Sequence, residues 1–516
     1  MAGTFDYIIV GAGPAGLQLA YHMQQENVNY LVIEKGETAG TSFKSYPRHG
    51  KLISINKVHT GYDDQEINLR WDWNSILCND ESFRFSKFSS SYFPDAKDLV
   101  TYLNEYASSF GLNINYNQAV KNITKESEIF TLHIDNSDEE YKCKNLIIAS
   151  GVAKPYIPNI PGIELTDNYT QVSVNKEEFI NKRVLVLGKG NSAFETADHL
   201  IDSASLIHVC SPNNVKLAWQ THYVGNLRAV NNNFLDTYQL KSQNAILDAD
   251  IDKIEVKDGI YRVSVRYQHA NGEVEVLEYD RVIVCTGFQL DSSIFGDSCQ
   301  PERCVDDRFP KLNADWESSN ISNLYFAGTL MQGHFYKKTT SGFIHGFRYN
   351  VKSLFHILLY KNQNKNLPSS IFNATTQNIT DHLVERINRS SALWQQFGYL
   401  TDIIDVGNES ATYFYELPKD YREQISQQNT FTLSLEFGTK QKDVFNIDRD
   451  PNPEKADESF FLHPVIRFYR DSKLIDTLHL VEDLYGEWKH QERHIDFLYR
   501  FVDKHNTFNH TVTKAV

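Results

Sequence analysis

Cysteine and methionine are scarce in this chain, at six and three of 516 residues. Six thiols spread over such a length indicate reduced cysteines, not a disulfide framework. Positive charge is also in deficit: 51 Lys and Arg stand against 66 Asp and Glu, a formal net charge of −15. That balance excludes nucleic acid and anionic membranes as expected partners. No apolar run approaches the roughly 20 residues of a membrane span. The first strand pattern begins almost at Met1, which leaves no room for a signal peptide and makes a cytoplasmic chain the expectation. The C-terminal third shows neither metal-ligand spacing nor a nucleophile motif, and no metal is expected. What is plentiful is apolar content, 41%, enough to build cores for several domains.

Two glycine-rich turns of the dinucleotide-binding type follow short apolar strands. The first, GAGPAG at Gly11 to Gly16, follows FDYIIV at Phe5 to Val10 and opens a helical stretch over Leu17 to Gln25. Gly11 permits the tight turn, Gly13 lets the backbone approach a pyrophosphate, and Gly16 lets the helix pack on the strand, with Pro14 and Ala15 between them. The helix N-terminus then faces the anion. The next strand, Tyr30 to Ile33, ends at Glu34, placed to accept from a ribose 2′-hydroxyl, with Lys35 beside it.

The second turn, GKGNSA at Gly188 to Ala193, follows RVLVL at Arg183 to Leu187 and opens a helix over Ser192 to Ile201. Its strand Leu206 to Cys210 ends in Ser211, Pro212 and Asn213, with no acid for a ribose diol. The missing acid leans towards NADPH over NADH, although no arginine replaces it and Lys216 is a distant substitute. Two such turns imply two dinucleotides, the arrangement of flavoenzymes in which NAD(P)H reduces FAD.

The expected fold is α/β, with two Rossmann-like dinucleotide-binding domains for FAD and NAD(P)H, the second inserted in the first, plus an α+β C-terminal domain. Residues 1–164 and 296–366 would form the FAD domain, 165–295 the NAD(P)H domain, and 367–516 a lid, dimer or partner domain. The polar, aromatic stretch GTSFKSYPRHGKLISIN reads as a loop that covers an isoalloxazine or an entry channel, and Ser42 and Phe43 within it are FAD-binding candidates. Val120, Gly151, Gly328 and Phe343 complete the FAD set. Asn191, Ser192, Thr286 and Gly287 join Gly188, Gly190 and Ala193 on the nicotinamide side. YFPD at Tyr92 to Asp95 precedes a helix carrying Leu99, Leu103 and Tyr106, with Asp95 able to cap it. A helix is expected from about Ser341 through Leu359, β alternation in TFTLSLEF at Thr430 to Phe437, a polar loop over Asp448 to Ser459, and a helix-like stretch over Tyr485 to His505. Cys299 and Cys304 have the spacing of a redox pair, but they fall in a polar loop past the second unit, where a catalytic disulfide is not expected.

The ordered series GAGPAG, YFPD with YLNEYASSFGL, IIASG with PNIPGI, GKGNSA and VIVCTGF resembles the class B flavin-dependent monooxygenases over about the first 350 residues. The stretches YPRHGKLISINK, THYVGNLRAVNN and GFIHGFRYNV, with the C-terminal FLHPVIRFY and LVEDLYGEW, resemble the FAD-dependent oxidoreductase domain-containing proteins over nearly the whole chain. Animal members of that group carry a signal peptide and an endoplasmic-reticulum retention tail, whereas this chain ends in TKAV, so a cytosolic, microbial relative is the expectation. The resemblance implies reduction of FAD by NADPH, oxygen addition at flavin C4a, and transfer of one oxygen atom from a C4a-hydroperoxyflavin to a small amine or sulfur substrate. It places Asn56 near C4a, and His222 and Tyr223 in the substrate region; these three are the catalytic candidates, and O2 and the small-molecule substrate are the partners. A homodimer would suit the long aromatic-rich C-terminal part. Tyr169 stands about where the family fingerprint has His, and Thr329 replaces its Asp after the last flavin glycine. Two alternatives stay open: an NAD(P)H-dependent flavin reductase or oxidase without oxygen insertion, and a flavin-containing binding protein.

Overall fold

A computed structural model of the chain describes residues 3–238, 243–426, 428–438 and 446–506. Three sheets organise it. In the first, the strands Ile114–Asn115, Tyr30–Ile33, Phe5–Val10 and Glu140–Ile148 lie side by side and parallel. YLVI is buried throughout and FDYIIV over its last four residues, as strands covered on both faces require. Leu324–Phe326 returns to this sheet beside Leu146 to Ile148, after the whole second sheet has intervened in the sequence. The chain therefore leaves the first unit and comes back to it. An antiparallel pair, Val120–Glu126 and Ile129–Ile134, extends the other end of the same edge.

The second sheet runs Val274–Tyr279, Ile260–Tyr267, Ala245–Lys257, Leu206–Ser211, Arg183–Leu187, Arg281–Val284 and Asp167–Asn168. The third is antiparallel, in the order Ser369–Asn373, Ser410–Pro418, Leu400–Val406, Thr430–Glu436, His463–Arg470 and Lys473–His479. Helices Thr376–Arg389 and Asp496–His505 share its core, where Ile379, Leu383, Leu498 and Val502 meet Phe431 and Phe468. The fold is thus α/β with two Rossmann-like units and an added α+β layer. No helix among the described residues is long and apolar enough to cross a membrane.

Several local expectations are corrected. The first helix starts at Pro14, the residue type that suits an N-terminal position because its missing N–H would have no partner there. Asp95 does occupy the N-cap of Ala96–Ser109, but its carboxylate turns to Lys51 at 2.9 Å and caps no backbone N–H. The helix expected from Ser341 begins at Ile344, because the buried Ser341 hydroxyl bonds Asn350 and Gln396 instead. The stretch from Tyr485 is no continuous helix. Asp483 accepts from the Tyr485 and Glu487 N–H groups to make a turn, a π-helical turn follows at Gln491–Ile495, and only Asp496–His505 is α-helical. Within the polar loop after Asp448, a short 3-10 helix forms at Pro453–Glu458.

Candidate dinucleotide sites and the arm between them

The two glycine turns share one geometry. A Cβ on Gly11 would lie 2.8 Å from the Ala149 carbonyl oxygen, and one on Gly16 only 1.9 Å from that of Gly11, so both are pressed against backbone. A Cβ on Gly13 would meet nothing within 4 Å. In the second turn Gly188 is pressed, with its Cβ 2.3 Å from the Cys285 carbonyl oxygen, and Gly190 is open. Neither Gly13 nor Gly190 is overlaid by a capping side chain at its helix N-terminus. Free N–H groups facing open space at the positive end of a helix are what a pyrophosphate needs. The residues present therefore fit a dinucleotide at each turn.

Around the first turn, Glu34 is buried and its carboxylate accepts from the Ala12 N–H at 2.7 Å and the Gly36 N–H at 2.8 Å. These bonds hold the acid beside the first turn while Lys35 faces solvent. Gly40 N–H bonds the Ala12 carbonyl and begins the short helix Thr41–Ser45 that bears Ser42 and Phe43. Gln118 N–H bonds the Glu34 carbonyl, which sets the start of the Val120 strand beside the acid. Gly151 is left-handed at φ +67° with open space before it. Gly328 lies against Ala15, its Cβ 2.8 Å from that methyl, and the Thr329 hydroxyl donates to the Gly342 carbonyl just before Phe343, the N-cap of Ile344–Gln363.

Around the second turn, the side chains are committed differently from expectation. Asn191 donates to the Gly225 and Asn226 carbonyls and accepts from the Arg228 N–H, so it binds protein rather than projecting at a nucleotide. Thr286 donates to the Tyr156 carbonyl at 2.6 Å. Ser192, Thr286 and Gly287 nonetheless line one hollow with Cys285, while Ala193 is buried in the helix packing. Lys189 is drawn to the Ser211 and Asn213 carbonyls and to Asp248.

Asn191 fixes an arm, residues 222–231, that spans the two units. Tyr223 is buried, donates to Gln332 Oε1 at 3.2 Å, and meets Phe343 edge-on at 5.7 Å. His222, at φ +55°, turns the opposite way and packs at a tilt against Phe437, with ring centroids 4.0 Å apart, and Phe460, at 5.0 Å. The two neighbours do not share a site. Asn56 is buried, and its Nδ2 donates to the Ser89 carbonyl at 2.6 Å, which ties two loops of the first unit together.

Residues that the sequence did not signal also meet here. The buried Glu195 carboxylate, one turn beyond Ser192, accepts from the Tyr169 hydroxyl and the His49 N–H, each at 2.7 Å. Burial raises its pKa, and the hydrogen bonds from Tyr169 and His49 only partly offset that. Tyr169, standing where the fingerprint His is absent, thereby latches the 46–49 loop to the second unit. His345 stacks on Trp73 at 4.4 Å, and burial holds its pKa well below the usual histidine value. All six cysteines are free thiols, including Cys299 and Cys304, whose S–H groups bond the Ile123 and Pro310 carbonyls.

Two open glycine turns, each leading a helix from parallel strands of its own sheet, with a buried acid after the first, define an FAD-dependent oxidoreductase. The chain belongs to the pyridine nucleotide-disulphide oxidoreductase family, which it matches over residues 8–328. It is 36% identical to FAD-dependent oxidoreductase domain-containing protein 2 of Mus musculus, across 96% of this chain and 83% of that one. The expectation of a microbial relative finds no support in that match. The fold is shared with bacillithiol disulfide reductase from Staphylococcus aureus, at a TM-score of 0.54 and 20% identity over 70% of this chain and all of the other. It is also shared with a flavin-containing monooxygenase from Stenotrophomonas maltophilia, at 0.53 and 16% over the same shares.

Proposed function

We propose that this protein is an NAD(P)H-dependent FAD monooxygenase acting on a small amine or sulfur compound. The balance is substrate, O2, NAD(P)H and a proton giving oxygenated substrate, water and NAD(P)+. Bound FAD would supply the two-electron carrier between nicotinamide and oxygen. The observation that carries the reading is the arm, because Asn191 holds it at the second turn while Tyr223 closes it on Gln332 and Phe343 at the first. Oxygen transfer needs the space between the dinucleotides kept dry, and a buried tyrosine bonded across that space excludes water.

In this reading Glu34 holds the FAD ribose, and the open helix end at Gly190 holds the NAD(P)H pyrophosphate. The N-terminus of Ile344–Gln363 favours negative charge at the flavin end nearest Phe343. Asn56 borders the reacting face from a loop that it rigidifies itself. His222 supports the arm from behind by packing against Phe437 and Phe460. The alternative is a reductase or oxidase without oxygen insertion, which would use the same two open helix ends.

The deciding experiment supplies NADPH, 18O2 and a panel of amines and thioethers to the purified holoprotein and follows label by mass spectrometry. One labelled oxygen atom in product per NADPH is expected. NADPH consumption matched by peroxide, with no labelled product, would overturn oxygen insertion and leave the alternative.

A further inference from the structure

Near Tyr223 stand two cations, Arg308 and Lys337. Arg308 is half-buried; its guanidinium donates to the Phe288 carbonyl at 3.0 Å, lies over the Tyr156 ring at 4.7 Å, and sits where a Cβ on Gly287 would touch it at 2.9 Å. Lys337 keeps part of its side chain in solvent while its Nζ is partly covered, over the Tyr336 ring at 5.2 Å and the Tyr223 ring at 5.9 Å. Among the described residues neither cation has a carboxylate within ion-pair distance, in a chain with an acidic excess.

The two charges act on one another. Burial lowers the Lys337 pKa, and Arg308 lowers it further, while the same Arg308 reaches Tyr223 and Tyr336. Asp306 also acts on Tyr336. The segment that delivers Lys337 is strained as well, with Phe335 at φ +63° and Lys337 at φ +57°, a region that non-glycine residues enter at a cost. Like charges brought together over tyrosine faces, without an ion-paired carboxylate, attract an anion.

We propose that Arg308 and Lys337 form an anion-binding subsite beside Tyr223 that takes the carboxylate of the small substrate. This rests on the reading of the Tyr223 space as substrate space. The other anion that could reach these cations is a phosphate of the nicotinamide nucleotide, and the experiment separates the two sources.

N-acetylmethionine and its neutral amide, a matched pair with the same thioether, are titrated into holoprotein by calorimetry, as is NADP+. Charged hydrogen bonds of this kind correspond to about tenfold or more in affinity. The carboxylate should bind about tenfold tighter than the amide. That preference should vanish in R308Q and K337Q and return in K337R, with NADP+ affinity unchanged. Equal binding of acid and amide by the native protein overturns the subsite. Loss of NADP+ affinity in both variants with the acid preference intact assigns the cations to the nucleotide and also overturns it. Because binding is read without turnover, failure of oxygen insertion leaves this result standing or falling by itself.

Discussion

Replacing Gly190 by valine separates the fold of the second unit from its use. Gly190 has φ −92° and ψ −176°, extended backbone open to any residue, and a Cβ there meets no atom within 4 Å. Valine should therefore be accommodated, with its methyl groups in the open space before the N-terminus of Asn191–Leu200. A pyrophosphate at that end takes charge-assisted hydrogen bonds of ~1.5–3 kcal/mol each. Losing two amounts to ~3–6 kcal/mol, on the order of 10² to 10⁴ in affinity. Anaerobic mixing of the yellow protein with increasing NADPH, followed through the flavin absorbance, reads this directly. The expected result is full FAD content and native thermal stability, with reduction requiring at least a hundredfold more NADPH or failing altogether. Gly188→Val is the contrast: at φ +118° and with its Cβ 2.3 Å from the Cys285 carbonyl oxygen, it should lower stability instead. Reduction of Gly190→Val at native NADPH concentrations would remove the nucleotide from this turn and refute the argument.

Other outcomes follow from the same structure. Gly13→Val should fold yet purify without FAD, because its Cβ also projects into open space; retained yellow colour in the purified protein counts against the first site. Arg386 pairs with the fully buried Asp402 side chain at 2.6 Å and with Glu416 at 3.0 Å. Arg386→Met should cost about 3–5 kcal/mol in urea unfolding, and adding Asp402→Asn should recover part of it; an unchanged midpoint would show the network to be inert. Burial raises the native pKa of Glu195, so the stability it contributes is complete below the unfolded carboxylate range and lost as pH rises through the raised value. Urea midpoints across that window should fall with pH in the native protein and flatten in Glu195→Gln; parallel pH profiles would contradict the burial argument. Tyr223→Phe leaves Gln332 Oε1 without its donor, costing about 1–3 kcal/mol, and should raise peroxide released per NADPH; unchanged coupling would detach Tyr223 from water exclusion.

The glycine turns were legible because every determinant is local: a buried strand and fixed glycine spacing lie within some thirty residues of Phe5 and of Arg183, with a following acid at the first turn alone. The arm was not. Nothing in THYVGN reveals that His222 is left-handed, yet that one backbone conformation sends it to Phe437 and its neighbour Tyr223 to Gln332. Asn191 looked like a nucleotide contact because the pattern records its position, whereas its partners lie 34 to 37 residues further along the chain. Glu195 carried no signal because a buried acid one helical turn past the fingerprint acquires meaning only once Tyr169 and His49 arrive from elsewhere. In the C-terminal part, TFTLSLEF was recognisable as a strand by its alternation, while the aromatic-rich Tyr485 to Trp488 segment owes its turn to Asp483 and to the packing of Trp394 against Gly486.

The opposed directions of His222 and Tyr223 also carry a mechanical meaning. The second unit grips its own arm through Asn191, the flavin side grips it through Gln332, and Phe437 and Phe460 grip it from the third layer. Three bodies thus share one short lever. A swing of the second unit against the first would have to slide a histidine off two phenylalanine rings and draw a phenol out of a closed wall in the same stroke, so the C-terminal layer acts as a brake on domain rotation.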